Sequence, residues 1–313
     1  MAPLRVMVVF GSLALGGGVL ASAHAATPEE APPESREQVQ VALSRLAVAF
    51  EGRARGIDAG APGTLEDVMG RFAPGKYHPV EEGALLPVLA GAHCPAEMAL
   101  VAQRVCVDRY EASLYERGGA AGVERPHSPY HPPEPGRVYI ARSRPDVVPQ
   151  AYVSGAQAQN ACRAAGKRLC QPVEWRAACG GKQGFAFPYG KSRVNSACHD
   201  RGVAPMLVFF ADTMKKGWGP VELNDPRLNQ QPNTVGKTGA YADCVNDYGL
   251  YDMVGNLHEW TADPNGTFQG GYWLDTSQHG DGCAYRTIAH PFDYHDYSIG
   301  FRCCADPLSP PRD

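Results

Sequence analysis

The sequence predicts an irregular α+β domain held together by disulfides, over residues 85–306. From about Leu85 onward glycine, proline and aromatic residues become dense and helical periodicity scarce, so the regular elements must be short. Two segments, Ala156–Ala165 and Val173–Cys179, do carry a helical pattern. All ten cysteines lie in the same stretch, and an even number in an exported chain reads as a disulfide framework.

Export is read from the first 25 residues: Arg5, an apolar run from Val6 to Leu20, and the small-x-small ending Ala21-Ser-Ala-His-Ala25. That run is shorter than the ~18 residues a membrane span needs, so cleavage and release are expected, with a retained amino-terminal anchor as the alternative. No cysteine stands at the cleavage site, which argues against a lipid-modified lipoprotein. Residues 26–35 are Pro- and Glu-rich and read as a disordered spacer. Residues 36–84 read as a helical segment: Ser35 caps a helix through about Arg55, with Val39, Leu43, Leu46, Ala47 and Phe50 at three- and four-residue steps, and a shorter helix follows at Leu65–Phe72. So small a segment buries no core of its own.

Within the domain, Cys94–Cys106 reads as two short strands with a turn near Ala102, which a disulfide between the ends would staple. Gly166 suits the position just past the first helix, and Gly180-Gly181 ends the second. A Pro-rich tail, 307–313, closes the chain, and no internal repeat is present.

Composition excludes several classes. Cleavage of the signal peptide removes Arg5 and no acid, moving the formal charge from -4 to -5, which offers no footprint for nucleic acid and no run of charge for a membrane surface. The closest cysteine spacings, Cys303-Cys304 and Cys162-x7-Cys170, are not the paired spacings of structural zinc sites. There is no Gly-rich phosphate loop, no Gly-x-Ser-x-Gly elbow and no His-Glu-x-x-His helix. Ten cysteines allow about 945 pairings, so counting alone leaves the connectivity open.

Seven blocks occur in an order that resembles the formylglycine-generating enzyme family, also called the sulfatase-modifying factor domain. They are Val153–Cys162, Gly166–Leu169, Val173–Gly181, Phe187–Gly190, Tyr248–Trp260, Gln269–Trp273 and Gly300–Cys303. The resemblance implies an irregular α+β fold distantly related to C-type lectins. By motif it implies the disulfides Cys162–Cys303 and Cys179–Cys283; among the six remaining cysteines, proximity then suggests Cys94–Cys106, Cys198–Cys244 and Cys170–Cys304. It implies a calcium ion held by Asp252, the backbone carbonyls of Gly255 and Leu257, and Glu259, oxygen donors that suit a hard cation; the alternative is that both acids bond the turn's own amides. The family's other calcium site falls near Cys198, where the expected ligand is replaced.

Active members of that family bind copper(I) through two cysteines lying between the Gly-Gly block and the structural cysteine that matches Cys283. Here the interval Gly271–Cys283 contains no other cysteine, and Asp275 or His279 cannot replace a two-thiolate site in kind. No copper and no formylglycine production are therefore expected. The densest set of reactive side chains is His279, Asp281, His290, Asp293, His295 and Asp296, a candidate metal loop weighed against exposed or locally bonded loop. His258 stands where the family often has an aromatic and reads as packed; Asn265-Gly-Thr267 reads as a tight turn before a glycosylation sequon. Asp108-Arg-Tyr-Glu111 reads as salt bridging before acid-base chemistry.

Three functions follow. The first is a noncatalytic exported module, periplasmic or secreted, binding a protein, peptide or glycan partner through Tyr272, Trp273, Phe292, Tyr294 and Tyr297. The alternative is an oxidative enzyme of altered chemistry, as in cysteine-free relatives, although residues 26–84 lack the His-x3-His-x-Glu motif that supplies iron in some of them. The third is formylglycine generation by an unrecognised thiol.

Overall fold

Punctuation sets the element lengths. Strands β1 (Met98–Val101) and β2 (Val105–Asp108) pair antiparallel around a turn in which Ala102 and Gln103 take φ of 50° and 57°. This is seen in a computed structural model that describes residues 91–118 and 122–309. The predicted signal peptide, spacer and helical segment through residue 84, and the last four residues of the tail, lie outside the described residues. Among the described residues no helix is long and apolar enough to cross a membrane.

Strand β3 (Ala112–Gly118) lies between β4 (Val123–Pro126) and β5 (Tyr139–Ser143). Helix α1 (Gly155–Ala164) starts at a capping box: Gln157 N–H donates to the Ser154 hydroxyl at 3.3 Å, and Ser154 N–H donates to Gln157 Oε1 at 2.9 Å. After β6 (Arg168–Leu169), helix α2 (Pro172–Cys179) begins on a proline, which has no amide to leave unpaired there. Two helical turns absent from the sequence reading follow, α3 (Pro205–Phe210) and α4 (Pro220–Leu223).

The remaining strands are very short: β7 (His258–Trp260), β8 (Phe268–Gln269), β9 (Arg286–Thr287), β10 (Ile299–Phe301) and β11 (Cys303–Ala305). They complete two four-stranded sheets, β1-β2-β11-β6 and β10-β7-β8-β9, the second containing a parallel pair in which Gly300 lies opposite Glu259. Arg302 is the single residue between β10 and β11, so the chain leaves one sheet and enters the other across its backbone.

Three apolar clusters fill the domain. One surrounds Trp175, Met253 and Val254; one Trp260, Phe268 and Phe301; one Tyr152, Leu257, Trp273 and Tyr297. Disulfides thread them: Cys94–Cys106, Cys162–Cys303, Cys170–Cys304, Cys179–Cys283 and Cys198–Cys244. No cysteine is free.

The crosslinks at Cys303 and Cys304 are nested, with spans of 141 and 134 residues. With either closed, the other closes only the small circuit from 162 to 170 and one step of β11. In the chain-entropy treatment such a ring is worth about 2.5 kcal/mol, against about 5 kcal/mol for an isolated loop of that span. Serine pairs replacing Cys162/Cys303 or Cys170/Cys304 should each lower stability by about 2.5 kcal/mol in urea unfolding. Replacing all four should cost about 6 kcal/mol, because Cys179–Cys283 still shortens the remaining circuit. A loss near 5 kcal/mol for either pair alone contradicts the nesting argument.

Candidate functional site

The turn before β7 is built from left-handed backbone at Asp252 (φ 56°), Gly255 (φ 81°) and Asn256 (φ 56°). A side chain at Gly255 would put its Cβ 2.2 Å from the His199 carbonyl oxygen, so only glycine fits. Asn256 locks the turn from three sides: its N–H donates to His199 O at 2.9 Å, its Oδ1 accepts from Gly236 N–H at 2.8 Å, and its Nδ2 donates to Glu111 Oε2 at 2.6 Å. Glu111 Oε1 then accepts Leu257 N–H at 3.0 Å.

Beyond the turn β7 alternates, sending Glu259 to one face and His258 and Trp260 to the other. Glu259 Oε2 accepts from Trp175 Nε1 at 2.6 Å and Arg302 Nε at 2.7 Å, and its Oε1 accepts from Arg302 Nη2 at 2.7 Å. The Arg302 guanidinium also donates to the carbonyls of Asp108 at 3.0 Å and Tyr251 at 2.8 Å. Neither side chain reaches water, with 0% and 1% exposed. Burial opposes the arginine's charge, yet Glu259, Glu111 and Asp252 hold it more firmly protonated than usual. Asp252 Oδ2 accepts Gly239 N–H at 2.6 Å. Burial pushes the Asp252 carboxyl up to about 6, with the Gly239 bond and Arg302 pulling it back. Burial also raises Glu111 well above the usual carboxylate range, reinforced by Asp252 and Glu259.

The oxygen set that the family resemblance implies for calcium can be tested against this geometry. Glu259 Oε2 is saturated by two donors while Oε1 takes one, which leaves it a lone pair. Three buried carboxyl groups, Glu111, Asp252 and Glu259, face a single guanidinium. Asp252, Glu259 and the carbonyls of Gly255 and Leu257 therefore fit a hard divalent cation.

The interval Gly271–Cys283 holds no thiol. Trp273 is fully buried and donates from Nε1 to Val203 O at 3.0 Å. Asp275 is tied within its own loop, Oδ1 accepting Ser277 N–H at 2.9 Å and Gln278 N–H at 3.0 Å, and Oδ2 accepting the Tyr285 hydroxyl at 2.9 Å. His279 lies against the Tyr285 ring at 5.5 Å. Cys283 is bonded to Cys179.

The candidate metal loop does not assemble. His295 Nδ1 pairs with Asn224 Oδ1 at 2.7 Å, whereas His290 lies on Phe268, ring centroids 4.4 Å apart. Asp296 accepts from Ser298 N–H at 2.8 Å and the Tyr294 hydroxyl at 2.6 Å. Among the described residues no group of three or more His, Cys, Asp or Glu side chains is placed to hold a metal. The aromatic face is likewise corrected. Trp273 at 0% and Tyr297 at 8% exposed are core, whereas Tyr272, Phe292 and Tyr294 are half-buried, the first packed against the third cluster and the other two against the second.

His258 is packed, its ring 4.8 Å from Tyr272 and 5.0 Å from Phe268, and its Nδ1 finds no partner among the described residues. Asn265-Gly-Thr267 is a turn: Asp263 accepts Asn265 N–H at 2.9 Å and the Thr267 hydroxyl at 2.6 Å, and Gly266 backs onto His290 O. Asp108 is ion-paired with Lys167 at 2.6 Å. Sequence reasoning missed that Glu111 supports the turn and that Arg302 partners Glu259. The available signal was one charge in each of two apolar phrases, His258-Glu-Trp260 and Ile299-Gly-Phe-Arg-Cys303.

Two expectations follow from these environments. Arg302→Leu leaves Glu259 buried without its counter-charge and should cost about 3–5 kcal/mol in denaturant unfolding, with Arg302→Lys recovering little because the bidentate fork is lost. Burial holds the His258 imidazole down to about 3 from its ordinary 6.5, assisted by His290 and His279 and opposed by Asp275. Folding thus requires the neutral ring: this contribution is complete above pH 6.5 and is lost as pH falls toward 3, at about 1.4 kcal/mol per pH unit. His258→Phe should flatten the decline of stability between pH 6.5 and 4; a variant with the wild-type slope contradicts the assignment.

A family profile for the sulfatase-modifying factor enzyme 1-like domain matches residues 95–307. Among curated relatives, the Bos taurus protein named Inactive C-alpha-formylglycine-generating enzyme 2 is 31% identical over 178 residues, covering 52% of each chain. The Mus musculus Formylglycine-generating enzyme is 29% identical over 207 residues, 57% of this chain and 49% of its own. That of Thermomonospora curvata is 28% identical over 188 residues, 51% of this chain and 56% of its own. The chain spans about half the length of the curated relatives it matches. Among solved structures, the Major Tropism Determinant I1 variant superposes with a TM-score of 0.40 and 14% identity over 70% of this chain and 54% of its own; CarF gives 0.38 and 16% over 69% and 95%. With the family profile spanning both the Gly-Asn turn and the Arg302 joint, the chain belongs to the sulfatase-modifying factor enzyme 1-like domain family.

Proposed function

We propose that this protein is an exported, noncatalytic member of its family, a calcium-stabilised module that binds a protein, peptide or glycan partner in the cell envelope or outside it. One observation carries the proposal. All ten cysteines are committed to disulfides, and the interval Gly271–Cys283 offers only a loop-bound aspartate and a histidine where copper(I) needs soft thiolates. Similarity to relatives named inactive points the same way. Five disulfides support an oxidising compartment. Calcium is supported by the buried carboxyl groups around the Asp252–Glu259 turn.

A sulfatase peptide incubated with the copper-supplemented protein in air should show no formylglycine by mass spectrometry. Product above a heat-killed control overturns the noncatalytic reading. Calcium at one hundred times its dissociation constant should stabilise the chelator-stripped protein by about 2.7 kcal/mol. An unchanged melting temperature over the whole millimolar range overturns the calcium reading.

A further inference from the structure

We infer that Glu111 is the positioning residue of the calcium site, holding the turn that carries its carbonyl ligands. The inference rests on the calcium reading above. Glu111 follows β2 in the chain, 145 residues before Asn256, and is 0% exposed. Its two oxygens take one donor each, Asn256 Nδ2 at 2.6 Å and Leu257 N–H at 3.0 Å. Both partners are donors, so the position demands a group that only accepts; a glutamine would turn its own N–H toward one of them.

Those two bonds grip the residues at the centre of the ligand set, between the carbonyls of Gly255 and Leu257. The turn they hold carries three left-handed residues, Asp252, Gly255 and Asn256, a conformation that needs external support.

Calorimetric titration of the chelator-stripped full chain with calcium tests this, using wild type, Glu111→Gln and Asp108→Asn at a temperature where circular dichroism shows all three folded. Glu111→Gln should raise the calcium dissociation constant at least tenfold. Asp108→Asn, which removes a buried carboxylate outside the cluster, should lower the melting temperature and leave the constant within twofold. Should Glu111→Gln fail to fold, wild-type 15N–1H spectra decide: the Leu257 amide and the Asn256 side-chain amide must shift on calcium addition. A wild-type constant in Glu111→Gln, or amides that stand still, overturns the role of Glu111 alone. Absence of calcium binding by wild type overturns the calcium reading beneath it.

Discussion

Glu259 and Arg302 meet out of water, and the geometry of their contact organises the domain. The glutamate stands on β7, in one four-stranded sheet; the arginine is the one residue between that sheet's β10 and the other sheet's β11. The guanidinium bonds Glu259 through two nitrogens and reaches the carbonyls of Asp108 and Tyr251, so the end of β2 and the Tyr251–Glu259 segment are fixed to one planar group on a third segment. Trp175 of α2 closes the same carboxylate from a third direction. A buried pair of this kind is weak evidence for net stability, but it rejects every arrangement that leaves either charge alone.

The disulfides extend that constraint. Cys303 and Cys304, directly after Arg302, are bonded to α1 and to the residue after β6, so β11 cannot leave without dragging the helical layer with it. Strands of two or three residues, as β6 to β11 are, have little ladder energy to hold register, and covalent ties beside the joint supply what hydrogen bonds cannot. The same scarcity of regular structure explains why buried polar groups such as Asn256 and Glu111 carry so much of the turn geometry.

Parts of this were legible in the sequence because they rest on local signals. The β1–β2 turn at Ala102, the two main helices and the glycine after α1 follow from periodicity and punctuation over a few residues. Two of the cysteine pairs, Cys162–Cys303 and Cys179–Cys283, follow from family motifs, and the other three from proximity among the six cysteines left. Helices α3 and α4 escaped notice, since Pro205-Met-Leu-Val-Phe-Phe210 is a short apolar run without a polar face to set its period. Trp273 and Tyr297 read as surface aromatics in irregular sequence, yet they fill the third cluster; without regular alternation nothing local says which way such a residue points. Glu111 was legible only as a charge, because its partners lie far along the chain.

Scaffold and chemistry separate in the function proposed above: the turn, the buried ion pair and the crosslinks are present, and no cysteine is free to serve as a thiolate. Elemental analysis of the protein purified without chelator, together with a thiol titration under denaturing conditions, tests that separation most directly. The account predicts about one calcium per chain, consistent with a single carboxylate-and-carbonyl site, with no retained copper and no titratable thiol. Stoichiometric copper accompanied by free cysteine contradicts it.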